Sequence, residues 1–353
     1  MKKLLTVLVA AAMLMSLLSA CSKTTATSTT ASNATSTAAS TAASTEASTS
    51  TSTASKKYKV VWINPLQNYI GYINQETAVK EAAAEYGMDL TILGVPSADG
   101  VVEKNAALLE DAISMKPDAI LCVPFNSAMY PALTKAMAAG IIVIASGSDT
   151  TDKTLRSAYI GTDNKTMGIM AAQAFNDGFA GKANIFVMMS QLDISNQVEA
   201  KTAFESKIKE FPGLTLAGFD KDGADMATAM TVFDAAFRAD KAIDAVWMLE
   251  GVGGAAAVKI AAEQKRTINI LEVDDAKETI DNIRSGAVYG SLAQNFFKMG
   301  YESVRLANEL LTGEKNVPTE VDSGIIVVTK ANIDSYAKDM DAAINKKGTP
   351  WTK

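Results

Sequence analysis

The sequence predicts an α/β protein built from two doubly wound parallel-sheet lobes. From Tyr58 onward, short apolar runs alternate with amphipathic patterns of helical period. The runs are almost continuously apolar, which is typical of parallel strands that helices cover on both faces. Ten or eleven such strands in about 290 residues exceed what one domain normally holds, so two lobes are expected.

Each predicted element follows from its local pattern. The predicted strands are Val60–Ile63, Leu90–Leu93, Ala119–Val123, Ile141–Ala145, Tyr159–Ile160, Ala183–Met188, Leu214–Phe219, Ala245–Leu249, Ile268–Val273, Val288–Leu292 and Ile325–Val328. The predicted helices are Ile73–Tyr86, Val101–Met115, Tyr130–Ala139, Lys165–Phe179, Ser195–Phe211, Ala224–Arg238, Gly254–Glu263, Ala276–Ser285 and Lys298–Leu311. The first helix is expected to end at Gly87, a residue type common just after a helix.

The N-terminus predicts export. Lys2 and Lys3 precede an apolar stretch over 4–18 that is shorter than the roughly 20 residues a membrane span needs, so 1–20 is interpreted as a signal peptide. The stretch ends in Leu18-Ser19-Ala20-Cys21, which resembles the bacterial lipobox and implies a lipid on Cys21. The alternative is an ordinary signal peptide with a chance cysteine nearby.

A tether is expected to follow, over 21–57. Of the 36 residues in 22–57, 31 are Ser, Thr or Ala, and none is a large apolar residue. Such a segment buries too little surface to offset its ordering entropy, so disorder is predicted.

Composition excludes several functions. The net charge is −6 without a Lys/Arg-rich block, so no nucleic-acid partner is expected. The chain has no histidine, which removes imidazole-based triads and histidine-ligated metals, and neither a metal nor a cofactor is predicted. With Cys21 lipidated, Cys122 has no disulfide partner, and its apolar neighbours predict a small buried side chain.

Ligands of doubly wound sheets bind beyond the carboxyl ends of the strands, so the loops after the strands carry the functional signal. Four segments stand out in order: Tyr159-Ile160-Gly161-Thr162-Asp163-Asn164, Asp274-Asp275, Ala293-Gln294-Asn295-Phe296-Phe297-Lys298-Met299-Gly300-Tyr301, and Asp322-Ser323-Gly324-Ile325-Ile326-Val327-Val328-Thr329-Lys330. Together they resemble the ribose-binding-protein branch of the type I periplasmic binding proteins, over about residues 58–334.

The resemblance implies that three crossovers join the lobes, near Thr162, Gln294–Asn295 and Asp322–Ser323. The N-terminal lobe would comprise 58–162 plus 295–322, and the C-terminal lobe 163–294 plus 323–353. It further implies a monomeric, extracytoplasmic lipoprotein, anchored to the bacterial cell membrane, that captures a sugar-like ligand for an ABC importer permease. Alternatives are a sensing subunit for a chemoreceptor or histidine kinase, and a receptor for a nucleoside or polyol. An enzyme with paired carboxylates is a further alternative, but hydroxyl binding explains the same acids, so no enzyme is expected.

Sugar recognition needs carboxylates and amides for hydroxyl groups and aromatic faces for the C–H faces of the ring. In the N-terminal lobe, the loop after the first strand offers Asn68, Tyr69 and Tyr72, although Tyr72 could instead pack the helix start. Many family members carry a sugar-binding aspartate where this chain has Gly147. Asp149 could supply that carboxylate or cap the following turn.

In the C-terminal lobe, Asn196 opens a helix where the family often has an asparagine and a sugar-clamping arginine, but the next turn has no arginine. Phe219 resembles the aromatic half of the family's aromatic–aspartate pair and is a stacking candidate. Glu250 stands where ribose binders carry Asn-Asp, and it could accept two hydroxyl hydrogens or pair with a cationic ligand.

The Asp274–Asp275 pair ends a strand, so only one of the two side chains can face the cleft. The family pattern assigns the ligand to Asp274, and Asp275 is expected to cap the following helix. Gln294, at a crossover, is either a ligand contact or a hinge residue that bonds backbone across the lobes.

Overall fold

Twelve strands and ten helices alternate along residues 56–345, the part of the chain that the computed structural model describes. The strands are β1 (Lys59–Asn64), β2 (Asp89–Gly94), β3 (Ala119–Cys122), β4 (Ile142–Ser146), β5 (Ala158–Gly161), β6 (Ala183–Met189), β7 (Leu214–Lys221), β8 (Ala245–Met248), β9 (Asn269–Val273), β10 (Gly290–Gln294), β11 (Glu320–Asp322) and β12 (Ile325–Thr329). The helices are α1 (Ile70–Glu85), α2 (Val101–Ser114), α3 (Tyr130–Ala138), α4 (Asn164–Gly178), α5 (Ser195–Lys207), α6 (Met226–Ala239), α7 (Gly254–Glu263), α8 (Lys277–Ser285), α9 (Phe296–Thr312) and α10 (Ile333–Asn345). The predicted signal peptide, Cys21 and the tether before Lys56 lie outside the described residues.

The strands form two six-stranded sheets, and the predicted α/β fold of two doubly wound lobes is confirmed. The first sheet has the order β11-β5-β4-β3-β1-β2, and the second has the order β12-β10-β9-β8-β6-β7. We call the first sheet with its helices the N-lobe and the second sheet with its helices the C-lobe. The chain changes sheets between β5 and β6, between β10 and β11, and between β11 and β12.

Strand order also determines where a ligand can bind. In the N-lobe, β2 and β3 lie on opposite sides of β1, so the direction in which successive strands are added reverses there. In the C-lobe, β7 and β8 lie on opposite sides of β6 in the same way. Helices leave the sheet on opposite faces on either side of such a switch point, so a crevice opens beyond the carboxyl ends of the strands there. The loops after β1, β3, β6 and β8 should therefore build the site.

Two glycines let helices of the same lobe pack backbone to backbone. A Cβ on Gly300 of α9 would lie 2.2 Å from the Gln75 carbonyl oxygen of α1, and one on Gly168 of α4 would lie 2.1 Å from the Ala200 carbonyl oxygen of α5. Any larger residue would force these pairs apart. The first contact explains why α9, which follows a C-lobe strand, belongs to the N-lobe.

The structure differs from the sequence prediction at the sheet edges. The three-residue β11 and the helix α10 were not predicted, and β12 pairs with β10 antiparallel, although purely parallel sheets were expected. β11 consists of Glu320, Val321 and Asp322, and such a segment has no apolar run to identify it. Helix α1 begins at Ile70, three residues earlier than predicted, while Gly87 follows its end with φ of +65°, as expected. Cys122 is buried and free.

Candidate ligand-binding site

A cavity of about 100 Å³ lies between the two lobes at the carboxyl ends of their strands. Its lining comes from the loops after β1, β3, β6 and β8, which the strand order indicates, and also from residues at or after the ends of β2, β4, β7, β9 and β10. The lining residues are Leu66, Tyr69, Tyr72, Ala98, Val101, Phe125, Gly147, Ser190, Gln191, Ile194, Asn196, Gln197, Gly223, Ala224, Leu249, Glu250, Asp274, Gln294 and Phe296.

The N-lobe wall of the cavity is aromatic. The rings of Tyr69, Tyr72 and Phe296 pack against one another, with centroids 5.4 Å apart for the two tyrosines and 6.2 and 5.5 Å from each tyrosine to Phe296. Both contacts of Phe296 are edge-to-face, the arrangement that aromatic quadrupoles favour. Gly71 makes room for Phe296, because a Cβ there would lie 2.6 Å from the ring. Both tyrosines were predicted site residues, and both line the cavity.

Asp274 lies at the end of β9 with a φ of +73° and is 3% exposed. Its Oδ1 accepts a hydrogen bond of 2.7 Å from Nε2 of Gln294, and its Oδ2 accepts one from the Tyr69 hydroxyl across the cleft. Burial raises the pKa of Asp274 to about 7, while these two hydrogen bonds oppose the rise. The structure thus brings together three predicted site residues, Tyr69, Asp274 and Gln294.

Glu250 holds the loop after β8 in place. Its Oε2 accepts from the backbone N–H of Val252 at 2.7 Å, and its Oε1 from that of Gly253 at 2.8 Å. Asp222 is fully buried beside it, and its Oδ1 accepts from the backbone N–H of Ala224 at 2.9 Å. Burial raises the pKa of both carboxyl groups, that of Asp222 to about 6, and the proximity of Asp222 raises the pKa of Glu250 further.

Amide side chains complete the C-lobe wall. Gln197 joins two post-strand loops: its Oε1 accepts from the backbone N–H of Ser190 at 2.8 Å, and its Nε2 donates to the Leu249 carbonyl at 2.9 Å. Asn196 lines the cavity, and its Oδ1 is buried with no hydrogen-bond partner among the described residues. A buried acceptor without a partner is costly, so a donor from a bound solute would satisfy it.

Three predicted site residues lie outside the cavity lining. Asn68 is exposed in the loop after β1. Phe219 lies on the edge strand β7, is 48% exposed and has its ring 4.0 Å from the Lys201 ammonium. Asp149 accepts from Nε of Arg156 at 2.6 Å and from its Nη2 at 2.9 Å, and it also pairs with Lys153. Asp149 thus forms ion pairs, and its Oδ1 also accepts from the backbone N–H of Thr150 at 2.7 Å, which fits the alternative prediction of a cap on the following turn.

The predicted helix cap at Asp275 is wrong. The N-cap residue of α8 is Ala276, and no side-chain hydrogen bond caps this helix end. Asp275 instead accepts a 2.7 Å hydrogen bond from the Tyr336 hydroxyl and so ties α10 to the loop after β9. The register itself holds, since Asp274 lines the cavity and Asp275 does not.

Several hydrogen bonds link the lobes directly around the cavity. The Ser195 backbone N–H donates to the Phe125 carbonyl at 3.1 Å, and Nδ2 of Asn126 donates to Oδ2 of Asp193 at 3.0 Å. These bonds join the loop after β3 in the N-lobe to the segment after β6 in the C-lobe. With the Tyr69–Asp274 bond, they hold the lobes together over the cavity.

Sequence reasoning missed part of the lining. Phe296 lies within one of the segments that carried the family resemblance, two residues after Gln294, but was not selected as a site residue. Leu66, Val101 and Ile194 line the cavity as ordinary apolar residues. Leu66 follows β1 and Ile194 follows β6, beside the switch points, which is the signal that could have identified these two.

Glu272, on β9 behind the site, makes stability depend on pH. It is 1% exposed, its Oε2 accepts from the Thr279 hydroxyl, and burial raises its pKa to about 7. The folded state holds the Glu272 proton more tightly than the unfolded chain does, and this tighter binding stabilises the folded state. The stabilisation is complete below about pH 4.5 and is lost as the pH rises to about 7. Glu272→Gln should therefore raise the free energy of unfolding at pH 8 by up to about 3 kcal/mol, at about 1.4 kcal/mol per tenfold change in proton affinity.

Urea unfolding at pH 4.5 and pH 8 measures this effect. The variant and the unaltered chain should have nearly equal stability at the lower pH. The matched control is Glu263→Gln, which removes the same charge from an exposed position at the end of α7. An equal difference between Glu272→Gln and the unaltered chain at both pH values would contradict the assignment of the proton to Glu272.

Two α/β lobes that enclose a shared cavity at the carboxyl ends of their strands define a solute-binding protein of the periplasmic type. A family model described as periplasmic binding protein domain matches residues 58–315, and the chain belongs to that family. Members of this extracytoplasmic family bind solutes and are not enzymes, and this chain is likewise a binding protein and not an enzyme. The predicted resemblance is confirmed.

Solved structures agree with this fold. The chain superposes with a TM-score of 0.75 on GanP, a glucose-galactose binding protein from Geobacillus stearothermophilus, at 21% identity over 78% of this chain and 99% of that chain. A solute-binding protein from Burkholderia graminis C4D1M in complex with D-arabinose gives a TM-score of 0.73, at 24% identity over 80% of this chain and 98% of that chain. No curated protein matches the chain at the sequence level. Among the described residues, no helix is long and apolar enough to cross a membrane.

Proposed function

We propose that this chain is an extracytoplasmic lipoprotein that captures a monosaccharide or a sugar derivative and delivers it to the permease of an ABC importer. One observation carries the proposal: the cavity between the lobes has an aromatic wall on one side and a wall of carboxylate and amide groups on the other. Tyr69, Tyr72, Asn196, Glu250, Asp274 and Gln294 are the proposed ligand contacts.

The two walls suit the two kinds of surface that a sugar ring presents. Its C–H faces are apolar and pack on the rings of Tyr69, Tyr72 and Phe296. Its hydroxyl groups donate to the oxygens of Asp274 and Asn196. At about 10–15 Å³ for each water-sized group, a cavity of about 100 Å³ holds a solute of on the order of ten heavy atoms, the scale of one monosaccharide.

Solved structures of the same fold support a sugar as the ligand class. GanP is a glucose-galactose binding protein, and the structure of the Burkholderia graminis C4D1M protein contains D-arabinose. A ligand that touches both lobes stabilises the closed arrangement over an open one, and closure presents a continuous surface to a permease.

Ligand binding should make the protein more compact in solution. Because the proposed contacts lie on both lobes, a bound sugar favours the arrangement in which Tyr69 and Asp274 meet. Thermal-shift screening of pentoses, hexoses and polyols identifies a ligand, which should add about 2.7 kcal/mol of stability at 100 times its Kd. X-ray scattering with that ligand should then show a smaller radius of gyration. Unchanged scattering with a saturating ligand would contradict closure.

The anchor is tested separately, on residues before those that the structure describes. Leu18-Ser19-Ala20-Cys21 supports lipidation of Cys21. Cys21→Ala should abolish incorporation of labelled fatty acid and leave unlipidated precursor or release protein into the medium. Cys122→Ala is the matched control, since that cysteine is buried in β3 and should not affect labelling. Undiminished labelling of the Cys21→Ala protein would rule out this anchor.

A further inference from the structure

The charge of the cavity wall restricts the chemical class of the proposed ligand further than the shape of the cavity does. Of the nineteen lining residues, Glu250 and Asp274 are acidic and none is basic. Among the residues that the structure describes, one lysine hydrogen-bonds a lining side chain: the ammonium of the exposed Lys221 donates to Gln191 at 3.1 Å. An exposed charge is strongly screened by solvent and does not neutralise buried carboxylates.

Behind the wall, two more acids are buried without a counter-charge. Asp222 is 0% exposed and Glu272 is 1% exposed, compared with 7% for Glu250 and 3% for Asp274. Within the described residues, none of these four acids forms an ion pair. The buried Arg156 shows the contrast, because it is paired with both Asp149 and Glu320. Taking unpaired carboxylates out of water is expensive, so these groups either keep a proton or need a cation.

The four acids lie around one segment of the C-lobe, Gly251 to Gly254, since a Cβ on Gly254 would lie 1.7 Å from Oε1 of Glu272. Asp274 and the Glu250 loop adjoin each other, since a Cβ on Gly251 would lie 3.5 Å from the Asp274 Cβ and 2.9 Å from the Tyr69 hydroxyl. A Cβ on Gly253 would lie 2.8 Å from Oδ2 of Asp222 and 3.1 Å from Oε1 of Glu250. Burial is the main cause that raises the pKa of each group, and the charge of Asp222 raises the pKa of Glu250 further, as that of Asp274 does for Glu272.

Hydrogen-bonding capacity points the same way. The Tyr69 hydroxyl and the Gln294 amide N–H already donate to Asp274, and the Gln197 amide N–H donates to Leu249. The buried Oδ1 of Asn196 remains an acceptor without a partner among the described residues. The Oδ1 of Asn196 and the carboxylate oxygens of Asp274 can therefore accept from a ligand, and an ammonium group has three donors and no acceptor.

The aromatic wall opposite is also compatible with a cation. The ring faces of Tyr69, Tyr72 and Phe296 carry negative quadrupole potential, which attracts an ammonium group within about 6 Å. An anionic group would meet negative potential from both walls.

We propose that the ligand is a small polyhydroxylated amine, an amino sugar or amino polyol, whose protonated amino group lies on the Asp274–Glu250 side of the cavity. The inference rests on the proposed function and specifies its ligand. Model amines have pKa values of about 7.7 to 10.4, so the amino group is largely protonated at pH 7. A sugar acid or a sugar phosphate is excluded by the same charges.

Calorimetry with charge-matched sugars tests the inference. The probes are glucosamine, glucose and glucuronate, with the corresponding sets for galactose and mannose, each titrated into the purified full chain at pH 7. In at least one set, the amino sugar should bind at least tenfold more tightly than the neutral sugar, and the acid should bind most weakly. Asp274→Asn should bring the affinity ratio of amino to neutral sugar close to one, while the exposed-site control Glu263→Gln leaves that ratio unchanged.

Each outcome decides a different point. If, in every set that binds, the neutral sugar binds as tightly as its amino counterpart or more tightly, the amine inference fails and the proposed function stands. If no sugar of any set binds, the amine inference fails, and the proposed function fails with it only if the thermal-shift screen of pentoses, hexoses and polyols also finds no ligand. An amino preference that survives in Asp274→Asn overturns the placement of the ammonium beside that carboxylate.

Discussion

Replacing Asp149 with Ala is expected to lower the free energy of unfolding by about 1.5–3 kcal/mol, the usual contribution of a hydrogen bond to a charged group. The side chain of Arg156 is only 3% exposed, and Asp149 binds two of its nitrogens. After the substitution, Glu320 is its remaining carboxylate partner, and that residue is 61% exposed. Affinity for the ligand should change little, because Asp149 does not line the cavity.

Chemical denaturation and calorimetry on the same preparation separate the two effects. Lys153→Ala is the matched control: it removes the exposed partner of the same carboxylate and should cost no more than about 1 kcal/mol. If Asp149→Ala abolished binding and left unfolding unchanged, Asp149 would be a ligand contact after all, as one of the two sequence interpretations had it.

Replacing Asp274 with Ala should weaken ligand binding by roughly tenfold or more for each hydrogen bond lost to the carboxylate. A hydrogen bond to a charged group contributes about 1.5–3 kcal/mol, and each 1.4 kcal/mol is a factor of ten in affinity. The substitution also removes the acceptor for Gln294 and Tyr69, so it loosens the closed arrangement as well. Folding should be nearly unaffected, because a buried carboxyl with a raised pKa does not stabilise the folded state in its charged form.

Asp275→Ala is the control for that experiment, since it removes an adjacent acid that does not line the cavity. It loses the hydrogen bond from Tyr336 and should cost about 1 kcal/mol of stability with little change in affinity. Calorimetry and thermal melting of both variants distinguish the roles. Loss of binding in Asp275→Ala together with normal binding in Asp274→Ala would mean that the two roles are exchanged.

Much of the C-lobe site could be predicted from the sequence because it depends on strand ends. The apolar run of β9 stops at Val273, and Asp274 follows at the end where parallel sheets bind ligands. Glu250, after β8, and Gln294, at the end of β10, follow the same rule and line the cavity with it. Alternation of short apolar runs with amphipathic helices is a local property, so the sequence by itself determined the fold class and nearly all of the strands.

Pairing between distant segments was decided only by the tertiary structure. Asp149 and Asp274 are both acids that follow a strand. Asp149 pairs with Arg156, which also pairs with Glu320, whereas Asp274 accepts hydrogen bonds from Tyr69 and Gln294. The position of Phe219, outside the cavity lining and on the edge strand β7, emerged only from the tertiary structure, and β11 forms only because β5 offers it a partner. A residue's own neighbours in sequence determine its periodicity. Its side-chain partners, its exposure and the direction of an edge strand depend on residues up to 205 positions away, which only folding brings together.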